Sequence, residues 1–131
     1  MPDGDAKPQA ATAPLAPGPW PLPMNLPTEI FGDVIVVHTP QELGSDQREG
    51  FEAYVPTLER HKVVLDLDGT ETLDSEGLTA LLDVQEGLRG QQGDVKIAST
   101  NSVNRKILEI TRLDQQLEVF GSVIDAVKSF H

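Results

Sequence analysis

Residues 63–82, VVLDLDGTETLDSEGLTALL, decide how the rest of the chain is read. Val63 to Leu67 is an apolar run of the length of a buried strand, and Gly69 to Asp74 is a polar turn. Leu78, Leu81, Leu82 and Leu88 then recur at helical spacing, which predicts a helix beginning near Ser75. Asp74 and Ser75 are both suited to cap it. A strand that feeds a helix through a short polar loop sets side chains at its carboxyl end beside a helix N-terminus. Free amide N–H groups and the helix dipole favour an anion there. The candidate working residues of this stretch are Asp66, Asp68 and Ser75.

The chain has 131 residues, which is one domain. It has no cysteine, so a disulfide framework, a thiolate metal site and cysteine catalysis are excluded. No apolar run approaches the length of a membrane span. The opening residues, MPDGDAKPQAATAP, lack the basic-then-apolar order of a secretory signal, so a cytoplasmic location is expected. A formal charge of −11 opposes binding to nucleic acid or to anionic lipid. It suits a basic protein partner, or solubility alone.

Working outward, residues 1–27 hold 8 of the 10 prolines, with alanine through much of the rest. This composition predicts a disordered or polyproline-like tail, and its PGPWPLPMNLP segment, with Trp20, Leu22 and Met24, could dock on another protein. Thr28–Phe31 and Val34–His38 read as strands about a Gly32-Asp33 turn. Ser45 is a candidate cap for a first helix whose apolar face is Phe51, Tyr54, Val55 and Leu58, with Pro56 shortening or kinking it. After the second helix, which Gly90 and Gly93 end, Val95–Ala98 is a third buried strand. Asn101 or Ser102 caps a helix whose inward face is predicted to be Val103, Ile107, Ile110 and Leu113. Leu117–Phe120 reads as a short strand. Ser122 with Asp125 starts a last helix with Val123, Ala126, Val127 and Phe130 inward. Strands alternating with helices predict parallel pairing, with antiparallel pairing only at the opening hairpin. His38 and His61 lie at element ends without a second ligand at metal spacing, and read as surface histidines. Arg105, Lys106 and Arg112 read as a solvated helix face.

Two resemblances bear on function. VVLDLDGTETLDS resembles the first motif of haloacid dehalogenase-like phosphotransferases, an apolar strand followed by Asp-x-Asp-Gly-Thr. That resemblance implies Asp66 as nucleophile, Asp68 as general acid/base and a bridging Mg²⁺. Ser99 or Thr100 and Lys96 or Lys106 would have to supply the later motifs. The match covers 13 residues, no paired carboxylates follow any later strand, and a strand pair and a helix precede it.

Residues 28–131 resemble a STAS domain, the fold of bacterial anti-sigma factor antagonists. Gln41-Glu42-Leu43-Gly44 stands where that family often has Gly-Glu-Leu-Asp, and Val63 to Asp68 matches its central strand. Leu73-Asp74-Ser75-Glu76-Gly77-Leu78 matches its Asp-Ser-Ser/Thr-Gly-Leu signature. Asn104 to Leu113, NRKILEITRL, is similar to its late basic-apolar helix ending in Gly-Leu. The resemblance implies an α/β fold, a mostly parallel sheet of about five strands with about four helices and one antiparallel edge pair. It implies a non-enzymatic, cofactor-free protein binder, with an anti-sigma factor or a related serine kinase as partner and Ser75 as the phosphorylated residue. Glu42, Gly44, Ser45, Asp74, Ser75, Glu76 and Gly77 would form the partner surface, Gly77 leaving room for close backbone approach. The family also serves lipid-transport and stress-signalling complexes, so a scaffold role without phosphorylation is the alternative. Two departures stand out: Glu76 follows the serine where the family has a small residue, and Gly44 replaces an acid. Glu76 beside Asp74 would repel a phosphate. The oligomeric state stays open.

Overall fold

The computed structural model describes residues 24–130. Strands β1 (Thr28–Phe31) and β2 (Val34–His38) form the antiparallel hairpin about Gly32-Asp33. β3 (Glu42–Leu43) leads into helix α1 (Ser45–Tyr54), which passes into a 3-10 turn at Val55–Thr57. Pro56 ends the α-helix there, since it offers no N–H for the next helical bond. β4 (Lys62–Asp66), β5 (Thr72–Leu73) and helix α2 (Ser75–Arg89) follow. β6 (Asp94–Ala98), helix α3 (Ser102–Ile110), a 3-10 turn at Leu113–Gln115, β7 (Val119–Phe120) and helix α4 (Val123–Lys128) complete the chain.

The main sheet has the order β1-β2-β4-β6-β7, parallel except for β1 with β2. Alternation along the strands divides the apolar residues between two cores. Ile35, Val37, Val63, Leu65, Val95 and Ile97 face α1, α2 and α3, joining Phe51, Leu81, Leu88 and Leu108. Val34, Val36, Val64 and Ala98 face α4 and pack with Ala126, flanked by Phe120, Val123, Val127 and Phe130. The α4 face also buries Lys96, 8% exposed. Its Nζ donates to the Ser129 carbonyl (3.1 Å) and hydroxyl (2.8 Å), pairs with Glu118 (3.2 Å) and lies 4.4 Å from the centre of the Phe130 ring. Lys96 therefore anchors α4.

The structure departs from the sequence expectations in several places. Ser45 is the first helical residue and Gly44 the cap, its N–H donating to Gln47 Oε1 at 3.0 Å. Leu117 lies outside β7 as a buried core residue. Met24 and Leu26 pack on the larger core, and the Leu26 carbonyl accepts from the Tyr54 hydroxyl at 3.3 Å, so the folded unit extends upstream of residue 28. The rest of the expected tail, with Trp20 and Leu22, lies outside the described residues.

The largest departure is the phase of α3. Of the four residues expected inward, Leu113 is buried and Ile107 packs half-buried on the larger core, but Val103 and Ile110 are 62% and 69% exposed, and the buried residues of the helix itself are Asn104 and Leu108. Asn101 Oδ1 accepts from the N–H groups of Val103 (2.8 Å) and Asn104 (3.2 Å), which starts the helix at Ser102. Asn104 Nδ2 then donates to the carbonyls of Leu67 (3.1 Å) and Thr70 (2.9 Å). A buried carbonyl without a donor is costly, so this polar demand outweighs the aliphatic stripe in setting the rotation of the helix.

Candidate functional site

The decisive stretch forms β4, a loop, β5 and the start of α2, and contacts from other elements hold the loop rigid. The Leu67 N–H donates to the Ala98 carbonyl at 2.9 Å. The Thr70 hydroxyl, fully buried, meets that of Thr39 at 2.5 Å and donates to the Pro40 carbonyl at 2.5 Å. Asn104 closes the loop from below. β3 and β5 then pair in parallel, Glu42 beside Thr72 and Leu43 beside Leu73. This two-residue ladder brings the starts of α1 and α2 together, and with them Glu42, Gly44, Ser45, Asp74, Ser75 and Glu76.

Two glycines permit that approach. A Cβ on Gly44 would come within 2.5 Å of the Asp74 carboxylate. A Cβ on Gly77 would overlap the Leu43 carbonyl. Gly77 is buried against its own chain, and the room expected there for a partner's backbone is taken by Leu43.

Of the two candidate caps it is Asp74 that caps α2, accepting from the Gly77 N–H at 3.0 Å. Ser75 is left exposed on the first turn of a 15-residue helix, its hydroxyl making no hydrogen bond among the described residues. Glu76 is not an unpaired charge. Arg48 of α1 donates to Glu76 Oε1 at 2.6 Å, to Asp83 Oδ2 at 3.0 Å and to Glu52 Oε2 at 2.9 Å. One guanidinium thus ties three carboxylates on two helices, and its shared charge lessens the repulsion expected from Glu76 at Ser75 without cancelling it.

The titration of this cluster has a definite sign. The contact with Glu52, followed by that with Glu76, holds the Arg48 guanidinium above even its ordinary range. Burial pushes the Glu52 carboxyl upward and neighbouring Asp83 adds to the rise, while Arg48 opposes it. A carboxyl raised in the fold contributes stability below its unfolded pKa and loses it as pH climbs through the folded value. Arg48 restrains that loss. Arg48→Met should therefore lower the thermal midpoint least in acid, where Glu52 is protonated, and progressively more toward neutrality. Thermal melts across that range check it, and an equal drop at every pH would mean that Arg48 acts by packing alone.

Asp66 and Asp68 have structural partners. Asp66 Oδ2 lies 2.9 Å from His38 Nδ1, and its Oδ1 accepts from the Asp68 N–H at 3.0 Å. Asp68 Oδ1 accepts from the N–H groups of Thr100 (2.6 Å) and Asn101 (3.3 Å), tying the β4 loop to the approach to α3. Lys96 is under α4, on the other face of the sheet from Leu65, and Lys106 pairs with Glu109 at 3.3 Å on the surface. Among the described residues no group of three or more His, Asp or Glu is placed to hold a metal. His38 is half-buried rather than a free surface histidine, its other ring nitrogen 3.2 Å from Glu29 Oε1. Sequence reasoning missed Arg48 and Asn104. Glu52 four residues after Arg48 was a readable signal; Glu76 and Asp83 as partners were not.

A parallel sheet with a capped helix opening at its edge, a free serine on the first turn and a second helix start beside it make a recognisable set. The STAS domain family model matches residues 25–126. The chain belongs to the STAS domain family. A candidate anti-sigma factor antagonist of Thermotoga neapolitana is 24% identical over 106 residues, covering 78% of this chain and 94% of its own. The crystal structure of an anti-sigma factor antagonist from Mycobacterium paratuberculosis superposes with a TM-score of 0.70 at 22% identity, over 80% of this chain and 92% of that one. The phosphorylated form of the Bacillus cell fate determinant SpoIIAA gives 0.60 at 15% identity, over 82% of this chain and all of that one. The α/β STAS fold, with five strands in the main sheet and one antiparallel pair, is as the sequence led one to expect. No helix among the described residues is long and apolar enough to cross a membrane.

Proposed function

We propose that this STAS domain is a non-enzymatic, reversible protein binder of the anti-sigma factor antagonist kind. It docks an anti-sigma factor through the edge built from Glu42–Ser45 and Asp74–Glu76, and a partner serine kinase switches it at Ser75. The observation that carries this reading is the Ser75 hydroxyl, exposed and unbonded on the first turn because Asp74 has taken the cap. A phosphate there would meet the positive end of the α2 dipole and add about two negative charges to a partner-facing edge. The names of the relatives support the class of partner, and one neighbour of this fold is a phosphorylated form. Pairing of Glu76 with Arg48 lessens the electrostatic objection to modification. The structural engagement of Asp66 and Asp68 supports a regulatory rather than a phosphatase reading.

The test is phosphate incorporation, followed by intact mass, with the anti-sigma kinase of the native organism and ATP. Wild type should take one phosphate and Ser75→Ala none. Ser75→Asp should weaken binding of the anti-sigma partner roughly ten-fold or more. Label persisting in Ser75→Ala would place the modification elsewhere. Unchanged binding by Ser75→Asp, with no modification, would leave the domain a constitutive scaffold and Ser75 an ordinary first-turn residue.

A further inference from the structure

His38 is the last residue of β2, and its ring stands between two carboxylates on the strands that flank it. Nδ1 lies 2.9 Å from Asp66 Oδ2 on β4, and Nε2 lies 3.2 Å from Glu29 Oε1 on β1. The register of the sheet explains the meeting. His38 is opposite Asp66 and Glu29 is opposite Val36, and the alternation of side chains puts all three on the face that carries Val34, Val36 and Val64. The other charged groups of that face do not serve the ring. Lys62 pairs with Asp33 and Lys96 with Glu118, while Asp125 and Lys128 of α4 make no ion pair with His38 among the described residues.

Two carboxylates around one imidazole demand two donors. An ionised carboxylate only accepts, and a neutral imidazole has one N–H and one lone pair. The imidazolium alone can donate to Asp66 and Glu29 together. In the neutral ring one nitrogen turns a lone pair toward an ionised oxygen. Burial decides which contact survives. The Asp66 side chain is 13% exposed and that of Glu29 57%. Asp66 without its donor would sit where water serves it poorly, whereas Glu29 can rotate into solvent. Asp66 is also fixed through its second oxygen, which accepts from the Asp68 N–H at 3.0 Å. The neutral ring therefore keeps its proton on Nδ1.

We propose that His38 is a pH-operated latch on the edge strand: as the imidazolium it fastens β1 to β4 across β2, and on giving its Nε2 proton to solvent it keeps Asp66 and releases Glu29. β1 is where such a latch matters. All four of its residues are exposed, and β2 is the one strand it pairs with. The backbone joint lies at the same residue, since the His38 N–H donates to the Pro27 carbonyl at 3.0 Å, and Glu29 with Val36 is the next bonded pair of the ladder. Histidine ordinarily changes charge between about pH 5 and 8. The latch closes toward acid and opens toward alkali, and it acts on the strand by which the N-terminal residues join the sheet. The loop from Asp66 toward Ser75 keeps its hold in both states.

Amide exchange of the full chain, taken as protection relative to the intrinsic rate at each pH, tests this between about pH 5 and 8. Protection of the Glu29, Val36 and His38 amides should fall roughly five-fold toward the alkaline end, while that of residues 67–73 holds. Nitrogen-15 NMR should find the neutral ring protonated on Nδ1. Glu29→Gln should remove the pH dependence, because its amide can accept from the imidazolium and donate to the neutral ring. His38→Gln should remove it as well. Protection of β1 that does not change with pH, a pH dependence that survives Glu29→Gln, or a neutral ring protonated on Nε2 overturns the proposal. So does a loss that falls on residues 67–73 as much as on β1, which would show the ring letting go of Asp66.

Discussion

Gly77→Ala should destabilise the domain by about 3 kcal/mol or more, a large part of the roughly 5–15 kcal/mol that holds a domain of this size together. The added methyl would occupy the position of the Leu43 carbonyl, a backbone atom in the β3–β5 ladder. No rotamer change relieves that overlap. Either α2 must withdraw from the sheet, opening the core around Leu78 and Leu81, or β3 must leave β5 and release the start of α1. The matched control has the opposite sign. Gly87 lies in the same helix, exposed, with open space where a Cβ would stand, so Gly87→Ala should stabilise by about 0.5–1 kcal/mol. Urea unfolding of the two variants checks both. A loss below about 1 kcal/mol in Gly77→Ala would mean that the start of α2 can shift freely, and the site would then not be preorganised by this contact.

Asn104→Leu should cost about 2–3 kcal/mol despite its similar volume. The Leu67 carbonyl would keep a donor in the Thr70 N–H at 3.0 Å, whereas the Thr70 carbonyl would lose the 2.9 Å bond from Asn104. Both Thr70 and Asn104 are fully buried, so water is poorly placed to substitute. The damage should be local as well as global. Residues 67–73 lead directly into the Asp74 cap, so amide exchange should accelerate there and at Ser75 before the rest of the sheet responds. Partner affinity at the Ser75 edge should fall with it. Uniform exchange across the sheet would show that Asn104 supports the core generally and not the loop.

Much of this architecture was legible from local pattern. Val63 to Leu67 could be read as a buried strand and Leu78 to Leu88 as an amphipathic helix because each signal is carried by neighbours in sequence. The same holds for Val34–His38, for Val95–Ala98 and for the α4 face of Val123, Ala126 and Val127. The order of these elements sufficed for a parallel sheet with one antiparallel edge. The β3–β5 ladder escaped notice because two residues cannot display a period. The phase of α3 differs from expectation at Val103 and Ile110, while Ile107 and Leu113 pack on the core, because the four together make the better helical stripe. The competing signal, a polar residue at Asn104, acquires meaning only when the Leu67 and Thr70 carbonyls are in place.

By itself, then, the sequence pointed to the STAS class through the resemblance of its motifs, and it determined the alternating strand-helix order, the strand-loop-helix that carries Ser75 and the acidic character of the molecule. These rest on side-chain period, turn chemistry and charge, which need no distant partner. Of the two candidate caps the structure uses Asp74, through a local bond from the Gly77 N–H, which leaves the serine hydroxyl free. Tertiary structure alone decided that Arg48 would reach Glu76 and Asp83, 28 and 35 residues away, which lessens the repulsion expected from Glu76. It also decided that Val103 and Ile110 of α3 would face outward. The last two are choices among alternatives nearly equal in local energy, and a hydrogen bond or ion pair between residues far apart in sequence is enough to settle each.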